Sequence, residues 1–560
     1  MVENYSKFTY TQDESDSLKN NYGILSFINS STDPENRYKT NWTNILNINE
    51  SLIGKSIKIR VRLQRSRIKG KGGFLVLRDN MNTVQAVLFA GENVSVQMVK
   101  FASTIPNESL IDVEAEVLKA QKPVESCTIS DYELSIKTLF VVSDCIKVLP
   151  FQIEDANRKT ASGSEDQEDE NTTEVTNKYN NNQESSNINI SNNNEKKEED
   201  KKEKKDKKKE KKEKKEEKKE KKDDKKAKVE IVVKSNTRFD NRVLDLRVAA
   251  TQALMRLQSG VGQLYRDFLH NEGFIEIHSP KLIGGASEGG TNVFKLKYFD
   301  RDACLAQSPQ LYKQMCIIGG IEKVYEVAPV FRAENSNTGR HLCEFTMLDL
   351  EMAFKEHYFE VVDVINSLFV SIFDGLKTKY KHELNIVANQ YPFELIEYKK
   401  ELVKLSFKEG VELLKENGVD QDVNEDLDTK NERKLGELVK KKYGTDFYLL
   451  YKYPKSARPF YTMPCHDDEN FTNSYDAFIR GEEVLSGAQR IHDYNMLYNK
   501  VVAKEINPST LSDYLNSFKL GAPPHGGAGI GLERIVKLVT GFSNVKRCCL
   551  FPRDPKRLGP

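Results

Sequence analysis

The chain has 560 residues, enough for two or three domains with their own cores, and its 85 basic residues almost balance 84 acidic ones, leaving a formal charge of +1. That balance excludes a uniformly basic or acidic surface as the basis of function. No run approaches the roughly 20 apolar residues of a membrane span, and MVENYSKFTY lacks a basic stretch followed by an apolar one, so a cytoplasmic protein that does not enter a membrane is predicted.

Residues 1–47 carry no assignable pattern and read as an N-terminal extension. Residues 48–150 contain five β-rich runs, SIKIRVRLQRSR, GGFLVLRD, TVQAVLFA, LIDVEAEVLKA and YELSIKTLFVVS, separated by Gly, Asn and Lys turns. Five strands at this spacing predict a small barrel of the OB type, a fold whose strand face takes single-stranded nucleic acid. Around Phe74 lie Arg60, Arg62, Arg65, Arg67, Lys69 and Lys71, a mixture in which cations track phosphates while a ring stacks on a base. An ordinary basic barrel surface carries the same residues, so this segment alone leaves both readings open.

Composition changes abruptly over residues 151–236. Asn and acidic residues crowd positions 162–194, and residues 195–228 hold about 20 lysines against about 13 acids. Such a stretch has too little apolar surface to offset the entropy of ordering, so a disordered insert or a lone solvated helix with i,i+4 ion pairs is expected. Its positive charge is suited to weak, salt-sensitive attraction for RNA, and an inert spacer is the competing reading.

From residue 237 onward the pattern is mixed α/β. VLDLRVAATQALMRLQSGVGQLYRDFLHNEG is amphipathic and predicts a helix ended by Gly273, after which FIEIHSP predicts a strand stopped by Pro280. Residues 324–334 and 342–352 read as two strands joined by NSNTG, a hairpin with Arg332 and Glu334 pointing together from the first strand. On the second strand Phe345, Asp349 and Glu351 share one face by parity. A charged face this dense points to a ligand, here a nucleotide. Near the C-terminus GAPPHGGAGIG places a glycine cluster before a helix starting near Leu532, a turn suited to close backbone approach and to anions at the helix start. The eight cysteines show no CxxC pair or Cys/His ligand spacing and read as reduced thiols.

Together these segments resemble the class II aminoacyl-tRNA synthetases. GFIEIHSPKL is similar to motif 1, VYEVAPVFRAEN with RHLCEF and LDLEM to motif 2, and GIGLER to motif 3, in the family's order. SEGGTNVF, QSPQLYKQM, RGEEVLSGAQR, GAPPHGG and LFPRDPKRLGP extend the resemblance to the eukaryotic aspartyl-tRNA synthetases, over nearly everything except the insert and the first residues. The implied fold is α+β, with an OB-fold anticodon-binding domain at 48–150, a Lys/Glu-rich insert and hinge at 151–236, and a catalytic domain at 237–560 whose antiparallel sheet is flanked by helices. The implied reaction joins L-aspartate to ATP as aspartyl-adenylate, then transfers it to the 3' end of tRNA(Asp). Neither step needs a covalent enzyme nucleophile, so positioning and charge compensation would carry the catalysis.

The resemblance also assigns roles. Arg332, Glu334 and Arg534 form the implied catalytic set: Arg332 binds the α-phosphate and the substrate carboxylate, and Arg534 lies over adenine with Phe345 on its other face. Glu334, Arg340, His341, Leu342 and Gly531 complete the ATP contacts, and Glu483 with Ser486 matches the Mg2+ site. Lys313 and Arg490 match the pair that holds the aspartate side chain, with Glu288, Gln310, Asp349 and Ser486 around the α-amino end. Asparaginyl relatives do not keep a lysine after QLY, so Lys313 favours aspartate. Glu288 lies in a loop that is expected to close over the bound amino acid. Phe74, Gln85 and Glu133 fall at anticodon-reading positions, and motif 1 implies a homodimer. Two further readings share these residues: an asparaginyl-type enzyme, which Lys313 and Arg490 oppose, or a relaxed aspartyl enzyme that also charges tRNA for asparagine; and a catalytically silent relative that holds RNA or assembles other proteins, which the presence of Arg332, Glu483 and Arg534 opposes.

Overall fold

The computed structural model describes residues 7–26, 40–160, 232–284 and 292–559; the Lys-rich arm and Glu288 lie outside the described residues. The N-terminal module contains β1 (Tyr22–Ile24), β2 (Ser56–Lys69), β3 (Gly72–Asp79), β4 (Asn82–Phe89), helix α1 (Val96–Thr104), β5 (Leu110–Lys119) and β6 (Ile129–Ser143). Alternation along β2 drives the curvature: Ile57, Ile59, Val61 and Leu63 are buried, while Lys58, Arg60 and Arg62 face outward. β2 pairs with β3 and β5, and β3 with β4. The ring closes through β6, parallel to β4 and antiparallel to β5. This is the expected five-stranded barrel.

The expected boundary at residue 47 does not isolate an independent extension. Strand β1 pairs parallel with β6, and Phe8, Tyr22 and Ile45 are buried in the same core as Ile59 and Leu75. Apolar side chains packed against the barrel gain more by burial there than in water, which is why this segment is part of the module.

In the second module, the amphipathic run that reads as one helix is divided. A single turn at Arg242–Asp245 precedes α2 (Ala249–Asn271), which ends before Gly273 at φ +81°. Leu254, Leu257, Val261, Leu264 and Leu269 form its buried stripe. The chain then makes β7 (Ile275–Glu276), β8 (Leu282–Ile283), β9 (Lys295–Tyr298), β10 (Arg301–Leu305), α3 (Gln310–Ile318), β11 (Lys323–Phe331) and β12 (Glu344–Ala353). After α4 (Phe359–Lys379) follow β13 (Val403–Ser406), α5 (Thr429–Tyr443), β14 (Phe447–Tyr451), β15 (Ser474–Ile479), β16 (Glu482–Gln489), β17 (His525–Gly531) and α6 (Leu532–Val539). Eight strands form one sheet in the order β13-β14-β15-β16-β17-β12-β11-β7. It is antiparallel from β14 to β11, with a parallel pairing at each edge. Helices α2 and α4 cover one face, and Tyr265 of α2 donates its hydroxyl to the Asp349 carbonyl at 2.8 Å, tying the helix layer to β12. The FIEIHSP strand shrinks to Ile275 and Glu276, since only these two residues find ladder partners on β11.

Candidate active site

Hairpin β11–β12 forms in the expected place, with Val330 opposite Phe345 and Glu326 opposite Asp349. Arg332 and Glu334 are not on the strand, because β11 ends at Phe331 where the chain turns into the polar loop. One further bond, Arg332 N to Cys343 O at 2.9 Å, extends the pairing. Both side chains therefore still face the cavity of about 300 Å³ that β12, β16 and β17 floor.

The glycine cluster is a central strand, β17, rather than a turn. Its neighbour β12 explains the composition. A Cβ at Gly527 would stand 2.1 Å from the Leu350 carbonyl and 2.2 Å from Glu351 Oε2, so only glycine leaves room for that carboxylate. The charged face of β12 and the bare face of β17 are one device.

At one end of the cavity lie the residues expected at a nucleotide. Arg332 sits 5.5 Å above the Phe345 ring, and Arg534, in the first turn of α6, donates to the Glu483 carbonyl at 2.9 Å. Leu342, Gly531, Glu334 and His341 line the same wall. His341 Nδ1 is 2.6 Å from Thr338 Oγ1, and burial holds the imidazole below its ordinary range, with the nearby arginines adding to the effect. Arg340 borders the cavity but its guanidinium is engaged elsewhere: Nη2 donates to Glu432 of α5 at 2.9 Å, and Nη1 to Thr429. Burial pushes the Glu432 carboxyl up to about 7.

Glu483 and Ser486 both line the cavity from β16. Burial, then the nearby Asp476 charge, raises the Glu483 carboxyl above its ordinary range, a state that a cation would relieve. Asp476 was not foreseen. It takes two bonds from Arg458, at 3.1 and 2.6 Å, and Arg458 also donates to Ser486 Oγ at 3.0 Å while lying 3.9 Å from the Tyr453 ring centre. Nothing in the separate segments SARPFY and SYDAFI announces that they meet.

Arg490 and Asp349, which line the same cavity, belong to a buried ionic cluster. Arg490 donates to Glu351 from Nε at 2.9 Å and Nη2 at 3.1 Å. Lys313 is buried beside the cavity: its Nζ donates to Oδ1 of the cavity-lining Asp349 at 2.9 Å and lies 3.3 Å from Glu351 Oε2. The expected pair of cations thus comes with two carboxylates, and Glu351, noted from sequence only for its parity, is the centre of the set. Burial alone would raise the Glu351 carboxyl, but Arg490 and Lys313 hold it below the usual range. Gln310 and Asp349 do line the cavity, and Gln310 Nε2 is buried without a hydrogen-bond partner among the described residues, leaving an amide donor for a ligand.

On the barrel, Phe74 is 43% exposed on β3, and Gln85 of β4 stands opposite Glu133 of β6, to which its amide donates. Phe89, which sequence reading passed over, packs edge-on against Phe74 with ring centres 5.7 Å apart and is itself exposed. Adjacent strands bring these four residues together.

A family model for class II tRNA synthetases (D, K and N) matches residues 234–555. The cytoplasmic aspartate–tRNA ligase of Caenorhabditis elegans is 43% identical over 548 residues, covering 98% of this chain and 92% of that protein; the Homo sapiens one is 42% identical over 548 residues, covering 97% and 96%. Among solved structures, aspartyl tRNA synthetase from Entamoeba histolytica superposes with a TM-score of 0.80 at 38% identity, covering 99% of both chains. Asparaginyl-tRNA synthetase from Pyrococcus horikoshii, complexed with asparaginyl-adenylate, gives 0.71 at 25%, covering 93% of this chain and 100% of the other. With its barrel, antiparallel sheet and arginine-walled cavity, the chain belongs to the class II tRNA synthetases of the aspartate, lysine and asparagine group.

Proposed function

We infer that this chain is an aspartate–tRNA ligase, using ATP to activate L-aspartate and transferring the aspartyl group to the 3' end of tRNA(Asp). The observation that carries this reading is a single cavity lined by Arg332, Phe345 and Arg534 together with Arg490 and Asp349, whose partners are the buried Glu351 and Lys313. Relatives with this name align over nearly the full length at more than 40% identity.

In the first step the α-carboxylate of aspartate attacks the α-phosphorus of ATP, a P–O bond forms, and pyrophosphate leaves with the electron pair of the broken P–O bond. Arg332 is assigned to both the attacking carboxylate and the α-phosphate, so it aligns the reactants and offsets the charge that gathers between them. Arg534 and Phe345 are assigned to the two faces of adenine, and Glu334, Arg340, His341, Leu342 and Gly531 to the remaining ATP contacts. In the second step a terminal ribose hydroxyl of tRNA attacks the mixed anhydride carbonyl, and AMP departs.

Arg490 and Lys313 are assigned to the aspartate side-chain carboxylate. Gln310, Asp349, Ser486 and Glu288 are assigned to the α-amino end. The Glu483 carboxylate and the Ser486 hydroxyl fit a Mg2+ ion, since it favours hard oxygen donors, and its remaining ligands would be ATP phosphates and water. When bound, that ion neutralises phosphate charge. Phe74, Gln85 and Glu133 are assigned to the anticodon.

A homodimer through the segment around β7 and Pro280 and a cytoplasmic location complete the proposal. The exposed Ile275 and Leu282 support the former, and the names of the relatives support the latter. No helix among the described residues is long and apolar enough to cross a membrane. The test is pyrophosphate exchange into ATP. Exchange that depends on aspartate and not on asparagine is expected, and its absence in folded protein overturns the reading.

A further inference from the structure

The barrel and the catalytic module meet around one buried acid. Glu108, in the turn between α1 and β5, is 1% exposed and has a backbone φ of +68°, a left-handed conformation that costs energy for a side chain of this type. Its Oε2 accepts from Arg78 Nη2 on β3 and from Arg247 Nη1, at 3.2 Å, in the turn before α2. Arg78 Nη1 reaches the Arg247 carbonyl at 3.3 Å, and Arg62 Nη1 donates to the Glu108 carbonyl at 3.0 Å. Beside this cluster Met81, from the β3–β4 turn, buries its side chain in the core of the catalytic module. An apolar pin and a charged clamp therefore act at the same junction.

Buried ion pairs add little net stability compared with apolar packing, and their best-attested use is to fix register. Contacts between domains of one chain leave relative motion as the default unless the shared surface is large and apolar. Arg65 and Glu154 make a second contact nearby at 2.9 Å, but both are 41% exposed, and such pairs contribute little. Charging a tRNA needs one molecule held at the barrel and at the nucleotide cavity together, and the second engagement is efficient only when the spacing of the two sites matches the ligand.

We propose that Glu108, clamped between Arg78 and Arg247, is a positioning residue for tRNA charging, setting the angle between barrel and catalytic module; the proposal rests on the tRNA-ligase reading above. Glu108 touches no substrate and acts through the relative placement of two sites. Glu108 Oε1 and Arg78 Nε are buried without hydrogen-bond partners among the described residues, so the two side chains are joined through one carboxylate oxygen and not as a parallel fork. That pair lies within the barrel, and Arg247 carries the contact across to the catalytic module.

The deciding variant is Arg247→Gln in the full chain. Arg247 is 21% exposed, and its loss leaves the Arg78–Glu108 pair inside the barrel intact, so folding is retained. Aspartate-dependent pyrophosphate exchange should stay at the parent level, while kcat/KM for a tRNA(Asp) transcript falls by about 10- to 100-fold, the range expected when remote misplacement spoils alignment. Arg247→Lys should recover most of the charging. Glu108→Gln should show the same split between the two assays. Unchanged charging by Arg247→Gln, or an equal loss of exchange and charging, overturns the proposal. If the parent protein gives no aspartate-dependent exchange, the assignment of the reaction fails instead.

Discussion

Arg490 donates to both oxygens of Glu351, and neither side chain keeps more than 5% exposure. A buried pair of this geometry is costly to break, because the partner left behind has neither water nor a counter-charge. Glu351→Gln should therefore destabilise the fold by on the order of 3 kcal/mol. Urea denaturation measures this directly, and an unchanged midpoint would contradict the account.

Lys313 contributes to selectivity beside the cavity-lining Asp349, with which it pairs along with Glu351. Removing its charge leaves the cluster one cation short and lowers its preference for an anionic side chain. Lys313→Met should reduce the ratio of aspartate to asparagine activation by roughly 100-fold or more, the equivalent of losing a desolvated ion pair. Exchange assays with each amino acid give the ratio.

Arg332 needs its fork. A lysine at this position keeps the charge but cannot bind a carboxylate and a phosphate in one plane. Arg332→Lys is expected to lower kcat of exchange by about 100-fold, the scale of losing one aligned donor to a developing anion. A variant that changed only the KM for ATP would show that Arg332 merely binds the nucleotide.

Phe74 and its exposed neighbour Phe89 offer ring faces beside the Gln85–Glu133 pair. Phe74→Ala should raise the KM for tRNA by about 5- to 150-fold, matching one lost stacking contact, and leave pyrophosphate exchange untouched. Parallel losses in both assays would point to damage to the fold.

Glu533, in the first turn of α6, accepts from the Thr346 amide and from Gln258, yet burial pushes its carboxyl up to about 7. The folded protein holds this proton more tightly than an unfolded carboxyl near 4.5. Its contribution to stability is therefore complete below pH 4.5 and is lost as pH rises to about 7. Glu533→Gln removes that loss, so stability of the variant relative to the parent should rise across this window by on the order of 3 kcal/mol. Denaturation at several pH values tests the slope, and parallel curves would refute it.

Much of the architecture was legible because local rules govern it. Period-two alternation in SIKIRVRL marked a barrel strand, and the polar loop between residues 331 and 344 marked a hairpin. Boundaries were less legible. The helix before Gly273 is broken at residues 246–248, and the stretch before residue 47 is part of the barrel core, since tertiary burial outweighs local pattern at both places. The glycine-rich segment misled for a similar reason. Its glycines report crowding by the neighbouring strands, the Leu350 carbonyl and the Glu351 carboxylate at Gly527 and the Ala488 carbonyl at Gly526, and not a turn of its own.

By itself the sequence determined the order of modules, the motifs that carry the family resemblance, and the candidate arginines, because those depend on residue type and short spacing. Only the tertiary structure decided who partners whom. Glu351 and Arg490 are 139 residues apart, as are Glu108 and Arg247, and Arg458 meets Asp476 across 18. Charge pairing follows distance in space, and a chain that folds back through an antiparallel sheet makes distance along the sequence a poor guide to it.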